Sequence, residues 1–317
     1  MTKQLQTIDR ETIILEDVPC ALCGSENRRL VFQAPDERFT AENYKFSVVE
    51  CMECGLAYLS PRPTPHDIQH FYPAEFFSEP DWEKQCNKYA EELSRIHTLS
   101  GRLLDIGCRN GGFVRYAREK GFVASGLENA ACASNPWNVE IFHDFSLVPT
   151  NTFDVVTSWA VFEHLHDPAQ YFHEVARILK PGGEFVFLVP NFASYRSRQM
   201  QFEDLPRHLY FFTPETVGRF LKSSNLRLEI VEQDNRIYYG GHRKLLLYFA
   251  ARVVGLRFKR AYFYNLWVGF RQGKISLIEL LWLSPFEHID RLIHRQVTEW
   301  LAKKGRNGTM VIHARKS

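Results

Sequence analysis

The chain has 317 residues, a formal charge of +2 and 45% hydrophobic residues. That composition can fill a sizeable core, which excludes global disorder, and the near balance of charge gives no argument for nucleic acid by itself. No uncharged run reaches the ~18 to 20 apolar residues of a spanning helix, and the first residues lack the apolar stretch of a secretory signal, so a cytoplasmic protein is expected.

Four of the seven cysteines are organised: Cys20-Ala-Leu-Cys23-Gly24 and Cys51-Met-Glu-Cys54-Gly55 are two matching knuckles. Glycine after the second cysteine lets the backbone turn tightly, so that amide N–H groups point at sulfur. Two such turns supply four thiolates, the preferred closed site of structural zinc, with no position left for catalysis. Cys86, Cys108 and Cys132 have no such partners and read as small, partly buried residues. The stretch YKFSVVEC is a strand into the second knuckle, the proline-rich SPRPTPHDIQHFYP a connector, and WEKQCNKYAEELSRIHTL a helix.

From Gly101 onward strand and helix patterns alternate. Strands are expected at 102–107, 122–127, 139–142, 153–158 and 184–189, with helices in GFVRYAREKG and in PAQYFHEVARILKPGG, the latter stopped by Pro181 and two glycines. Such alternation specifies a parallel sheet with helices on both faces. Two more strands follow, LRLEIVEQ and the terminal GTMVIHARKS, too far apart for a hairpin, so a segment is inserted between them. The expected organisation is a zinc-binding module at 1–62, a linker and helix at 63–100, an α/β domain at 101–234 and 306–317, and a helical basic and aromatic insertion at 235–305.

Ligands of doubly wound sheets bind at the carboxyl ends of the strands. There LLDIGCRNGG places Asp105 at the end of the first strand, Gly107 in an unusual turn and Gly111 at the start of a helix, although it is not the G-x-G-x-x-G of a dinucleotide site. Glu128 in GLEN ends the second strand, where a carboxylate can accept both hydroxyls of a ribose, and Asp144 in IFHDF suits an adenine amino group. Together with E-H-L-x-D-P and L-K-P-G-G, these residues resemble the class I S-adenosylmethionine-dependent methyltransferases over about 100–232 and the last strand. The resemblance implies a Rossmann-like seven-stranded sheet with its last strand antiparallel. It implies cofactor contacts from Asp105, Gly107, Cys108, Gly111, Glu128, Asp144 and Phe145. The double knuckle further resembles a bacterial subgroup linked to sugar or cell-envelope glycan modification. Arg109 departs from the family, which usually has Gly, Ser or Ala there; it fits by turning to solvent or reaching the cofactor carboxylate, and otherwise blocks the pocket.

Methyl transfer to oxygen or carbon needs alignment and a base near neutral pH, a role suited to histidine. His208, in DLPRHLYFFTPETV with Arg207 and Tyr210 beside it, is the first choice, and His164 the second. The opposing readings make His208 a helix cap and His164 pocket wall. Tyr72, Phe76 and Phe77 are candidates either to close over the cofactor or to pack at the module seam. The insertion has nine Lys and Arg and no Asp or Glu over 235–278. That composition suits a cap or subunit seam, an anionic membrane surface, or a phosphate-bearing acceptor, with nucleic acid the weakest fit. The remainder, ISLIELLWLSPFEHIDRLIHRQVTEWLA, reads as an amphipathic helix in the core. The expectation is therefore a zinc-containing methyltransferase acting on a sugar, nucleotide-sugar or lipid-linked glycan, against a non-catalytic scaffold of the same fold or an RNA methyltransferase.

Overall fold

A computed structural model describes residues 13–36, 44–72, 82–129, 135–198, 203–233, 237, 246–247, 250, 266–271, 273 and 275–317. Its central element is a seven-stranded sheet in the order β12-β13-β10-β9-β6-β7-β8. These strands are β6 (Gly101–Ile106), β7 (Phe122–Leu127), β8 (Ile141–Phe142), β9 (Phe153–Trp159), β10 (Leu179–Pro190), β12 (Leu226–Glu232) and β13 (Thr309–Lys316). The β10, β9, β6, β7 and β8 pairings are parallel, while β13 runs antiparallel to both β10 and β12. The Rossmann-like sheet with an antiparallel last strand is as the sequence implied.

The central strands are buried on both faces, as a parallel sheet covered by helices requires. Helices α1 (Trp82–Leu93), α2 (Gly112–Glu119), α3 (Pro168–Ile178), α4 (Tyr195–Arg198) and α5 (Pro214–Ser223) belong to this part of the chain. Asp167 caps α3 by accepting Gln170 N–H, with Pro168 at the first helical position; Thr213 caps α5 in a capping box. His208 is therefore not that helix's cap. α3 ends at Ile178, three residues before Pro181, because Leu179 already pairs with Phe153 and L-K-P-G-G forms an irregular start to β10. At the far end of the sheet Glu184 accepts from His97 N–H, Thr98 N–H and Thr98 Oγ1, pinning the approach to β6.

The N-terminal part builds a four-stranded antiparallel sheet, β11-β4-β3-β2. Its strands are β2 (Arg28–Pro35), β3 (Lys45–Cys51), β4 (Ala57–Leu59) and β11 (Tyr210–Phe211), so its edge strand comes from beyond β10. The connector is ordered rather than plain coil: β5 (Arg62–Pro63) pairs with β1 (Leu15–Glu16), and a 3₁₀ turn spans Asp67–Phe71. The module and the larger sheet share one apolar cluster containing Val48, Leu56, Tyr58, Phe162, Phe187 and Phe212.

In the insertion, α6 (Leu266–Arg271) packs on α7 (Leu277–Lys303) around Leu247, Leu266, Ile275, Leu280 and Leu283. Asp290, buried, accepts the N–H groups of Leu246 and Leu247. α7 is not the core helix its composition suggested, because only one of its faces is covered and many of its large apolar residues are exposed. The basic stretch 242–260 lies almost wholly outside the described residues. Among the described residues no helix is long and apolar enough to cross a membrane.

Candidate functional site

The carboxyl ends of β6, β7, β9 and β10 face one edge, and the glycine loop after β6 covers it. Gly107 has φ +74°, and a Cβ there would stand 2.4 Å from Val161 Cγ2, so only glycine fits both the turn and the approach of the loop after β9. Gly111 has φ +80° and would drive a Cβ to 2.4 Å from Val139 Cγ2. Between them Arg109 takes φ +52°, a left-handed conformation that costs a residue with a Cβ about 1–2 kcal/mol. Its N–H donates to Glu128 Oε2 at 3.0 Å and the residue is exposed. Across the edge Ala160, just past the end of β9, also has positive φ, so strained backbone stands on both sides of that edge.

Glu128 is half-buried at the tip of β7, where its carboxylate closes the turn by accepting from Arg109. Asp144 is exposed and caps the next turn, Oδ1 accepting Ser146 N–H at 2.7 Å, which holds its carboxyl below the usual range. Phe145 stands edge-on to Tyr171 at 5.0 Å, and Asn129 Nδ2 donates to the Tyr171 hydroxyl. Glu128, Asp144, Phe145 and Tyr171 thus line one rim, with polar carboxylates beside aromatic faces. Tyr171 and Asn129 were not legible beforehand, since nothing in their spacing marks them.

Two expected contacts are placed differently. Asp105 is buried, accepts Thr157 Oγ1 at 2.7 Å, and burial pushes its carboxyl well above the usual range, so it braces the strand end beneath the loop. The Cys108 thiol is buried against Gly126, where an added Cβ would lie 2.3 Å from the sulfur, and so packs into the core.

The loops after β9 and β10 bring His164 and His208 together, ring centroids 4.9 Å apart and edge-on. His164 Nδ1 lies 2.9 Å from Arg207 O, which can only accept, so the proton sits on Nδ1, with the Tyr72 hydroxyl 3.0 Å away. Burial, helped by the charge of His208, drives His164 down to about 3, leaving it neutral. His208 differs: burial opposes its charge, but a hydrogen bond with Glu203 at 3.3 Å and the carboxylates of Asp204 and Glu163 hold it above its ordinary value. Beside them Glu163 is buried, which pushes it up to about 7.

Arg207 does not face an acceptor. It is fully buried, holds Asp36 of the N-terminal module through two hydrogen bonds, and also donates to Phe71 O and Asp204. Tyr210 is likewise buried in β11, its hydroxyl accepting from Arg62. Tyr72 lies at the module seam; Phe76 and Phe77 fall outside the described residues.

The four knuckle cysteines converge, with Cys20 Sγ 3.4 Å from Cys54 Sγ and Cys23 Sγ 3.5 Å from Cys51 Sγ. All four sulfurs lie within 4.8 Å of one another. Tetrahedral Zn–S bonds set sulfurs about 3.8 Å apart, so the cluster is close to that geometry. The matched turns are present: Gly24 N–H donates to Cys20 O and Gly55 N–H to Cys51 O. Against the burial that opposes it, the backbone of Leu22 and Cys23 favours the Cys20 thiolate, and that of Cys54 and Glu53 the Cys51 thiolate. Burial pushes the Cys54 thiol up to about 11, a cost that a cation among the sulfurs would reverse.

A family described as a methyltransferase domain matches residues 81–231, from α1 into β12, leaving out the cysteine module and the insertion. The ubiquinone biosynthesis O-methyltransferase of Bradyrhizobium sp. (strain ORS 278) is 29% identical over 175 residues, 48% of this chain and 68% of that one. Its counterpart in Saccharophagus degradans is 26% identical over 165 residues, 44% and 69% of the two chains. Among solved structures, a SAM-dependent methyltransferase from Archaeoglobus fulgidus aligns with 17% identity and a TM-score of 0.47 over 74% of this chain and 95% of that one.

Proposed function

We propose that this chain, an S-adenosylmethionine-dependent methyltransferase, methylates a hydroxyl oxygen, or an activated carbon, of a sugar, nucleotide-sugar or lipid-linked glycan, with zinc held by Cys20, Cys23, Cys51 and Cys54. The observation that carries the enzyme reading is Glu128: a half-buried carboxylate at the end of β7, tied to the backbone of the glycine loop and flanked by Asp144, Phe145 and Tyr171. The chain's own residues fit the cofactor. Gly107 and Gly111 leave room only for backbone at the loop, Glu128 offers acceptor oxygens for ribose hydroxyls, and Phe145 offers a face for adenine. S-adenosylmethionine, when bound, supplies an electrophilic methyl on a sulfonium centre.

What remains for the protein is to align the acceptor and take its proton. His208 suits that work: Glu203 orients its ring through a hydrogen bond, and the charges of Glu203, Asp204 and Glu163 hold its pKa above the ordinary value. His164, neutral and committed to Arg207 O, is the wall against which His208 is set. O-methylation is supported by the relatives' names. The glycan acceptor is supported by the four-cysteine module preceding the methyltransferase domain.

The test incubates the purified protein with methyl-labelled cofactor and a panel of sugars, nucleotide-sugars and glycolipids, with Glu128→Ala as control. Label on a glycan hydroxyl, lost with Glu128→Ala, supports the reading; label only on other acceptors removes the glycan. Metal analysis of the same preparation should find about one zinc per chain, released by Cys20→Ser.

A further inference from the structure

His97, Glu184 and His313 converge at the end of the sheet opposite the glycine loop. Glu184 opens the regular pairing of β10 with β9, His313 lies on β13 opposite Val186, and His97 shortly precedes β6. Each residue offers one nitrogen or oxygen, and the three atoms lie within 4.8 Å of one another. Glu184 Oε1 stands 3.3 Å from His97 Nδ1 and 3.8 Å from His313 Nδ1. Nitrogen and oxygen ligands on a tetrahedral zinc stand about 3.4 Å apart, so this is close to the spacing of a site with two imidazoles and one carboxylate.

Two further observations ask for a cation there. Glu184 is buried, and His97 N–H, Thr98 N–H and Thr98 Oγ1 all donate to its oxygens, which favours the ionised carboxylate. Among the described residues its ion-pair partners are the two imidazoles alone, with no lysine or arginine. His313 is 1% exposed, and neither of its ring nitrogens has a hydrogen-bond partner among the described residues, a rare state for a buried polar group. Its Nε2 lies 3.3 Å from Glu232 Oε1, out of line for a hydrogen bond, while Glu232 Oε2 accepts from Arg95 at 2.6 Å. Glu232 thus stands where a carboxylate backs a metal-ligating histidine.

We propose that His97, Glu184 and His313 bind a divalent ion of the zinc class, at a site separate from the four cysteines and from the edge proposed for methyl transfer. Two imidazoles and a carboxylate suit such an ion and leave one position for water. The His97 ring stacks on that of His313, centroids 4.7 Å apart and planes at 20°, so closing on the ion takes a tilt of His97, the exposed member of the pair. The ion ties β13, which returns from the insertion, to β10 and to the approach of β6. It is a clamp at the strand end remote from Glu128, and the proposal does not rest on the reading of the acceptor or of the cysteines. Three ligands, one of them exposed, hold an ion more weakly than four thiolates, so dialysis against a chelator empties this site first. The competing account is an imidazolium at His313 between Glu184 and Glu232, which needs no ion.

Calorimetric titration of the full-length, untagged protein with zinc sulfate after dialysis against EDTA tests it. The wild type should take up one equivalent that His97→Ala and His313→Gln lose or bind at least about a hundredfold more weakly, whatever the occupancy of the four cysteines. His97→Ala carries the test if His313→Gln fails to fold, since an exposed ring can be removed without disturbing the core, and its melting temperature without metal should match the wild type. Equal uptake by His97→Ala and the wild type overturns the proposal, whether the shared ion is adventitious or bound by the cysteines. So does a wild type that takes up no zinc beyond the cysteine-bound ion, which would give His313 to its two carboxylates.

Discussion

The two sides of the strand-end edge are built in different ways. On the side proposed for the cofactor, Gly107, Arg109, Glu128, Asp144 and Phe145 belong to one stretch of chain, and each is positioned by the turn that follows its own strand. On the other side, the loops of His164 and His208 are joined directly, Leu209 N–H donating to Glu163 O, and are buttressed by Asp36, Phe71 and Tyr72 of the N-terminal part, which reach Arg207 and His164. The first is local geometry repeated along a sheet. The second is a buried junction, so the histidine pair should be far more sensitive to substitutions outside it than the glycine loop is.

The strongest way to break this contrast is to remove the charge that closes the junction. Arg207→Met leaves Asp36 and Asp204 without their cation and should destabilise the fold by about 3–5 kcal/mol in urea unfolding. A loss below about 1 kcal/mol would mean that the junction is incidental.

His208→Ala comes next and should lower turnover by about 10²-fold while cofactor affinity, measured by calorimetry, holds. The pH profile sharpens the point. His208 must lose its proton to act as a base, and its value lies above the ordinary 6.5, so activity should rise with pH through a limb above that value. The hydrogen bond with Glu203 favours the charged imidazole. Glu203→Gln should therefore move the limb to lower pH, and a limb that does not move would separate Glu203 from the base.

The smallest effect is expected on the cofactor side. Arg109→Gly relieves a left-handed residue and should raise stability by about 1 kcal/mol. Its effect on cofactor affinity assigns the side chain: tighter binding means that the arginine obstructs the site, weaker binding that it contributes.

Much of the backbone geometry on the side proposed for the cofactor was legible because its information is local. Strand and helix periods, the glycines of a forced turn, and an acid at the end of each of two strands all lie within a few residues of what they position. The paired knuckles were legible for the same reason. The corrections have a common cause. Arg207 and Tyr210 flank His208 in the sequence, but Asp36 and Arg62 draw both into the seam. Cys108 sits in the glycine loop, but its thiol fills the space left by Gly126. α7 carries apolar residues on both faces, and no pattern within one helix tells which face has a neighbour.

The sequence by itself determined the succession of strands and helices along the α/β domain, the turns that end them, the carboxylate at β7 and the thiols at the knuckles, since these follow from backbone geometry and residue type at short range. Only the tertiary structure decided that the N-terminal sheet borrows β11 and that Arg207 locks it through Asp36. It also decided that the two histidines are shifted in opposite directions, His164 down by burial and His208 up by neighbouring carboxylates, and that α7 keeps one apolar face in the open. Each of these depends on which distant groups share a low-dielectric interior, where a partner or its absence is worth several kcal/mol.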